Sequence, residues 1–200
     1  MNEQNNRFVL RNARHLAADY MRRTIREGDA VVDATMGNGK DTLFLCDLVG
    51  SGGHVYAFDV QKEAVERTAQ RVGEAGYEQR CTLLLAGHET MKSHVPAGVR
   101  AVMFNLGWLP GAEHIVTTRT DTTLAAVLAA LELVCPGGVV SVCVYPGHEE
   151  GTRELHALLE LAASLDVRTY NVLHHAFINA REGTPQLILI QKNECIKTGV

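Results

Sequence analysis

Val31-Val32-Asp33-Ala34-Thr35-Met36-Gly37-Asn38-Gly39-Lys40-Asp41-Thr42 decides the fold. An apolar run ends in an acid, passes through a glycine turn and opens a helical pattern. Open α/β folds build a cradle for a nucleotide-like cofactor in this way. A second acid ends the next apolar run, at Asp59 in His54-Val55-Tyr56-Ala57-Phe58-Asp59, 20 residues after Gly39. Gly37 and Gly39 lack a Cβ, so the backbone can turn tightly and approach a ligand closely. A helix over 40–50 then points its N-terminal amides at that ligand.

The acids choose among cofactors. Asp33 beneath a pyrophosphate would repel it, whereas S-adenosylmethionine (SAM) carries an ammonium and a sulfonium. Asp59 suits a ribose diol, accepting two hydroxyl hydrogen bonds. A dinucleotide fingerprint would place glycine at position 42, where Thr42 stands. The looser Asp-x-Gly-x-Gly-x-Gly pattern is met with Thr35 in place of its first glycine. Adenine is expected beyond the third strand, where Gly87-His88-Glu89 follows Leu83-Leu84-Leu85-Ala86. His88 there is either a base contact or a surface turn residue. The candidate cofactor residues are Asp33, Thr35, Gly37, Asn38, Gly39, Asp41, Thr42, Asp59, Gln61, His88 and Glu89.

Working outward, apolar spacing predicts a helix over 8–26 and then an alternation of strands and helices. Strands are expected at 30–35, 54–59, 81–86, 100–106, 138–145, about 168–178 and 186–192. Helices are expected near 40–50, 61–75, 118–134 and 149–164. Such an alternation implies a mostly parallel sheet covered by helices on both faces. Only the loop 179–185 separates the last two strands, so they can pair antiparallel as a hairpin. Seven strands ending in a reversed hairpin suit a class I, Rossmann-like SAM-dependent methyltransferase sheet better than an NAD-binding one. No repeat, low-complexity segment or linker divides the chain, so residues 1–200 are expected to form one domain.

Composition is that of an ordinary globular chain: 200 residues, 46% hydrophobic, 21% charged and a net charge of −4. The first 28 residues differ, with Arg7, Arg11, Arg14, Arg22, Arg23 and Arg26 against Glu3, Asp19 and Glu27. Such asymmetry can mark a face for an anionic partner. Five cysteines without a C-x-x-C pair imply a reducing cytoplasm and no disulfide framework. No signal peptide or membrane-spanning run is expected. No His/Cys/Asp/Glu grouping has metal-ligand spacing.

The reaction site is expected where the fourth strand ends, in Phe104-Asn105-Leu106-Gly107-Trp108-Leu109-Pro110-Gly111. Asn105 and Trp108 have the Asn-x-x-aromatic spacing of amino-group methyltransferases. An amide oxygen and a nearby backbone carbonyl can accept both hydrogens of an amine, while the ring stacks on the base that bears it. The bland alternative is a turn-capping asparagine beside a core tryptophan. Tyr145-Pro146-Gly147-His148-Glu149-Glu150-Gly151 follows the fifth strand and offers Tyr145 and His148 to a substrate. Methyl transfer needs proximity and alignment more than a strong acid or base.

At these residues the chain resembles the rRNA methylase family of Gram-positive bacteria, which includes tRNA 5-aminomethyl-2-thiouridine methyltransferases. The resemblance rests on residues 33–42, 58–61, 105–111 and 145–151, and runs from about residue 8 to 192. It implies transfer of methyl from SAM to the aminomethyl nitrogen at C5 of a tRNA wobble uridine. Cofactor roles carry over to Asp33, Gly37, Asn38, Gly39, Asp41, Thr42, Asp59, Gln61 and His88. Acceptor roles carry over to Asn105, Leu106, Gly107, Trp108, Tyr145 and His148. The family usually has tyrosine where Trp108 stands, and a small residue, aspartate and lysine where Ala112, Glu113 and His114 stand. In the hairpin, of its Asn-Gln-x-Asn-x-Pro-Pro pattern, Asn179 and Pro185 survive.

The implied partner is the tRNA anticodon stem-loop, bound by a monomer or homodimer away from any membrane. A flipped wobble base needs cations along its backbone. Arg7, Arg11 and Arg14 are expected to share a helix face, as are Arg22 and Arg26, with Asn179 and Arg181 in the hairpin loop as further RNA contacts. Solvated helix faces are the alternative for the arginines. Rival functions are methylation of rRNA or a small amine, or a non-catalytic module binding SAM or NAD.

Overall fold

The computed structural model describes residues 10–107 and 118–194. Arg7 and Trp108 lie outside the described residues, as do Ala112 to His114. The strands are β1 Ala30–Asp33, β2 His54–Asp59, β3 Cys81–Leu85, β4 Val99–Asn105, β5 Val134–Val144, β6 Tyr170–His175 and β7 Gln186–Lys192. The helices are α1 Ala13–Thr24, α2 Lys40–Val49, α3 Lys62–Ala75, α4 Thr120–Leu133 and α5 Glu149–Ser164. Every predicted strand and helix is present, most with ends within about two residues of expectation.

One sheet has the order β3-β2-β1-β4-β5-β7-β6. Strands β1 to β5 pair in parallel, while β7 runs antiparallel to both β5 and β6. The expected C-terminal hairpin is therefore there. Parallel strands buried on both faces need continuous apolar runs, which Val31-Val32 and Ala101-Val102-Met103-Phe104 supply. One face of the sheet packs against α1 and α2 through Leu16, Met21, Leu45 and Val49. The other packs against α4 and α5 through Val127, Leu131, Leu155 and Leu158. Each such side chain contributes roughly 1.5–3 kcal/mol by leaving water. Among the described residues no helix is long and apolar enough to cross a membrane.

Three departures from the expected boundaries have local causes. Helix α1 starts at Ala13 because the side chain of Asn12 accepts the His15 amide at 3.0 Å and caps it. Arg11 thus precedes the helix and shares no helical face with Arg14. At the other end Ile25 is extended, so Arg26 also lies outside α1, and its guanidinium donates to the Arg23 and Ile25 carbonyls. Strand β5 begins four residues early, at Val134, with a register shift between Val99 and Ala101 on its partner and Gly137 at φ 78°.

The topology places the functional elements together. The carboxyl ends of β1 to β5 share one edge of the sheet, and its order reverses between β1 and β4. That is the position at which open α/β sheets take ligands. Because β6 runs parallel to β5, the loop joining β6 to β7 also lies at this edge. Gly183 of that loop lies against Gly147 in the loop after β5.

Candidate active site

A cleft of about 620 Å³ opens at this edge. Of the expected cofactor residues, Thr35, Gly37, Asn38, Asp41, Asp59, Gln61, His88 and Glu89 line it, and so do the expected acceptor residues Asn105, Leu106 and Tyr145. Arg14 lines it too, although its expected role was RNA binding. Lys40, Thr118, Arg119 and Thr122 also contribute to the lining and were not singled out from sequence.

The glycine loop turns as tightly as its sequence predicts. Gly37 and Gly39 have φ of 51° and 75°, in the left-handed region that glycine tolerates. Gly39 is the N-cap of α2, and a Cβ there would meet Thr68 Oγ1 at 2.8 Å. The Thr68 hydroxyl donates to the Gly37 carbonyl at 3.2 Å, so α3 presses on the loop from behind. Arg67 donates to Asn38 at 3.3 Å from the same helix.

The two framing acids have different situations. Asp59 lies in the cleft wall and accepts the Gly37 amide at 3.0 Å on one oxygen and the Gln61 amide at 2.9 Å on the other. Each oxygen keeps a lone pair, enough for the two hydroxyls of a ribose. Burial pushes its carboxyl above the usual range. Asp33 does not line the cleft. It is buried beneath the loop, 1% exposed, accepting the Thr42 hydroxyl at 2.6 Å and the Thr35 amide at 3.2 Å. Burial, with the nearby Asp41 charge, pushes it up to about 7. Thr42 is likewise buried, and Gly39 stays behind the cleft surface. Asp33, Gly39 and Thr42, expected at the cofactor, thus lie behind the cleft surface and support the loop.

His88 is buried, with Nδ1 3.2 Å from the Ala34 carbonyl and its ring edge-on to Phe104 at 5.7 Å. A carbonyl only accepts, so Nδ1 carries the proton. Burial lowers the imidazole pKa. The neutral ring then presents Nε2 as an acceptor. The surface-turn alternative for His88 does not hold.

Asn105 ends β4 and is held twice by the glycine segment. Its backbone amide donates to the Thr35 hydroxyl at 2.7 Å, and its side-chain NH2 donates to Asp41. The other Asp41 oxygen takes Arg14 at 2.7 Å. The Asn105 amide oxygen is buried and accepts no hydrogen bond within the described residues. Such an acceptor is costly unless something bonds to it.

The remaining expected residues scatter. Tyr145 is half-buried in the cleft wall, and burial raises its phenol pKa. His148 stands outside the cleft lining and caps α5, accepting the Gly151 amide at 3.1 Å on Nδ1. Arg11, Asn179 and Arg181 are exposed. Arg22 pairs with Asp19 at 2.9 Å and lies over the Phe44 ring.

Sequence reasoning missed a clasp at the foot of segment 108–117. The Gly107 amide donates to the Thr118 hydroxyl at 3.1 Å, and the Thr118 amide donates to the Gly107 carbonyl at 3.2 Å. Beneath them Glu154, 1% exposed, accepts the hydroxyls of Thr118 at 3.0 Å and Thr123 at 2.7 Å. A glutamate on the buried stripe of α5, with Leu155, Leu158 and Ala162, was the available signal.

The fold and this cleft define a class I SAM-dependent methyltransferase. The sequence model of the family described as "Putative rRNA methylase" matches residues 55–191. The chain is 39% identical over 197 residues to "tRNA (mnm(5)s(2)U34)-methyltransferase, chloroplastic" of Arabidopsis thaliana, spanning 94% of this chain and 72% of that protein. The crystal structure of a "putative rRNA-methylase" from Clostridium thermocellum matches with a TM-score of 0.90 and 38% identity, over 92% of this chain and all of that one (100%). A "putative methyltransferase" from Streptococcus mutans in complex with SAH matches with a TM-score of 0.84 and 33% identity, over 92% and 99% of the two chains. The chain belongs to the rRNA methylase family.

Proposed function

We propose that this chain methylates the aminomethyl nitrogen at C5 of a tRNA wobble uridine, converting 5-aminomethyl-(2-thio)uridine to its 5-methylaminomethyl form. The observation that carries the reading is the buried amide oxygen of Asn105 at the carboxyl end of β4, unpartnered among the described residues. It accepts one amine hydrogen, and the Leu106 carbonyl accepts the other. Desolvation in the closed cleft disfavours the charged ammonium, so the amine is held neutral and its lone pair is free to attack. The Arabidopsis relative's name supports the same substrate class.

SAM supplies a methyl group activated on a sulfonium. The chain's own residues hold and align: Asp59 the ribose, the Gly37–Gly39 loop and first turn of α2 the methionine carboxylate, and His88 the base. Asp33 adds negative potential for the two cations as it ionises. Tyr145 narrows the acceptor side and excludes water, and Trp108 stacks on the uridine. Alignment of this kind is worth at most roughly 7–11 kcal/mol of barrier. The anticodon stem-loop lies across the carboxyl edge, contacted by Lys40 and Arg119 at the cleft rim, by Arg11 and Arg22, and by Asn179 and Arg181 in the hairpin loop. Arg7 belongs to the same basic N-terminal segment. Free thiols at Cys46, Cys81, Cys135 and Cys143 suit a reducing cytoplasm.

The test is nucleoside mass spectrometry on tRNA bearing 5-aminomethyluridine, incubated with the purified protein and SAM. Gain of one methyl on that nucleoside, with no incorporation into rRNA, is expected. Methyl appearing in rRNA or in neither RNA would overturn the proposal.

A further inference from the structure

We infer that Asp41 is a positioning residue that sets the orientation of the Asn105 side-chain amide, and that Arg14 of α1 locks Asp41 for this task. The inference rests on the amine-transfer reading above and assigns a different role to a residue that sequence alone places on the cofactor.

Three observations combine. An asparagine amide has a donating end and an accepting end, and in most environments either can face a neighbour. A carboxylate only accepts, so contact with Asp41 forces the NH2 end towards it. The Asn105 oxygen is thereby turned away from Asp41, and it is buried with no hydrogen bond among the described residues. Without Asp41 the amide could rotate by half a turn and present a donor to the amine. A donor there would repel the amine hydrogens and compete for its lone pair.

Asp41 needs its own restraint. A carboxylate in the first turn of a helix can rotate to cap the free backbone amides there. Arg14 prevents this by taking Oδ1 at 2.7 Å, which leaves Oδ2 on Asn105. The Arg14 guanidinium is only partly exposed, and Asp41 is less so, at 42% and 17% of their side chains. Thr35 fixes the Asn105 backbone from the other side at 2.7 Å. The cofactor loop and the amine site therefore share parts, and the N-terminal helix is the third member of the relay.

The test uses the full chain and a double-mutant cycle. Asp41→Ala should lower kcat on aminomethyl-tRNA by about tenfold or more, as expected when an aligning group is lost. The SAM Kd from calorimetry should change by less than about threefold, and that titration also reports whether the variant is folded. In an Asn105→Ala background, Asp41→Ala should cost less than about twofold, because nothing is left to orient. Asp41→Asn keeps an acceptor oxygen and should recover at least part of the lost turnover. Arg14→Gln should give a smaller fall of the same kind. Equal fold-losses from Asp41→Ala in both backgrounds, or a loss carried by SAM affinity, would overturn the inference.

A spectral arm does not depend on turnover. In 15N–1H spectra the Asn105 side-chain amide, assigned by its absence in Asn105→Asp, should move in Asp41→Ala. An unmoved signal overturns the inference even if the wild-type protein proves inactive on aminomethyl-tRNA. A moved signal with such inactivity leaves the geometry standing and defeats the substrate reading alone.

Discussion

Replacing Asp33 by asparagine should flatten the pH dependence of stability. Asp33 is fully buried, and burial with the Asp41 charge raises its carboxyl from 3.8 to about 7. The fold therefore favours the protonated form. The stabilisation of that form is complete on the acid side and is lost as pH rises through about 7, because folding must then bury a charge that the unfolded chain solvates. Integrating between pH 5 and pH 8 gives a loss of about 2.5 kcal/mol from this one group. At roughly 2–4 °C per kcal/mol for a chain of this size, Tm should fall by about 5–10 °C over that interval. Asp59 and Glu154 are also raised by burial and add to the slope in the same direction. The informative quantity is thus the difference between wild type and Asp33→Asn. Asparagine mimics the protonated acid: its oxygen accepts the Thr35 amide and its NH2 donates to the Thr42 hydroxyl. Scanning calorimetry at both pH values should show the variant losing at least half of the wild-type slope. Parallel Tm curves for the two proteins would refute the account of Asp33 as a buried, largely neutral carboxyl.

Gly39→Ala should raise the SAM Kd at least about tenfold and lower stability by about 1–2 kcal/mol. Its φ of 75° and the 2.8 Å approach of Thr68 both oppose a Cβ, and calorimetric titration with thermal melting checks both effects. Glu154→Leu should lower kcat at least severalfold with little change in SAM Kd, because it frees the Thr118 hydroxyl that holds the foot of segment 108–117; single-turnover kinetics separates the two. Lys40→Ala and Arg119→Ala should each weaken tRNA binding, and each should reduce the slope of log K against log salt by about 1. Filter binding across a salt series measures this, and an unchanged slope places these cations off the RNA.

The parallel sheet was legible because its strands are unbroken apolar runs separated by amphipathic helices, and the closing hairpin because only a short loop parts the last two strands. The cleft was legible for the same reason: Asp59, Gly87 and Asn105 sit where those runs stop. What the pattern could not convey was depth. Asp33 ends a strand buried on both faces, so alternation gives no sign that its carboxyl sits under the loop rather than above it. His148 precedes Glu149-Glu150 at a helix start, where a capping role is as consistent with the residues as a substrate contact. Arg14 borders the buried stripe of Ala13, Leu16, Ala17 and Met21. That stripe could have turned it inward, but its partner Asp41 is 27 residues away, and such pairing is not written in local spacing.

The carboxylates at this cleft suit its cofactor in one further respect. Asp33, Asp41 and Asp59 lie under, beside and across from the glycine loop, and mutual repulsion contributes to the raised pKa of Asp33. Burial raises Asp59 as well. An empty site therefore holds negative charge at a cost. A ligand bearing an ammonium and a sulfonium relieves that cost, whereas a pyrophosphate would add to it. Cofactor choice is thus encoded less in the glycines, which any nucleotide-binding loop needs, than in Asp33 and Asp59, acids that a bound cation reconciles, whereas Asp41 already has Arg14 as its counter-ion. By linkage, SAM affinity should rise with pH through about 7 as Asp33 ionises, with proton release on binding below that pH. Asp33→Asn should remove both the rise and the proton. Calorimetry in buffers of different ionisation enthalpy counts that proton, and wild-type binding without release near pH 6 would show that Asp33 does not sense the cofactor charge.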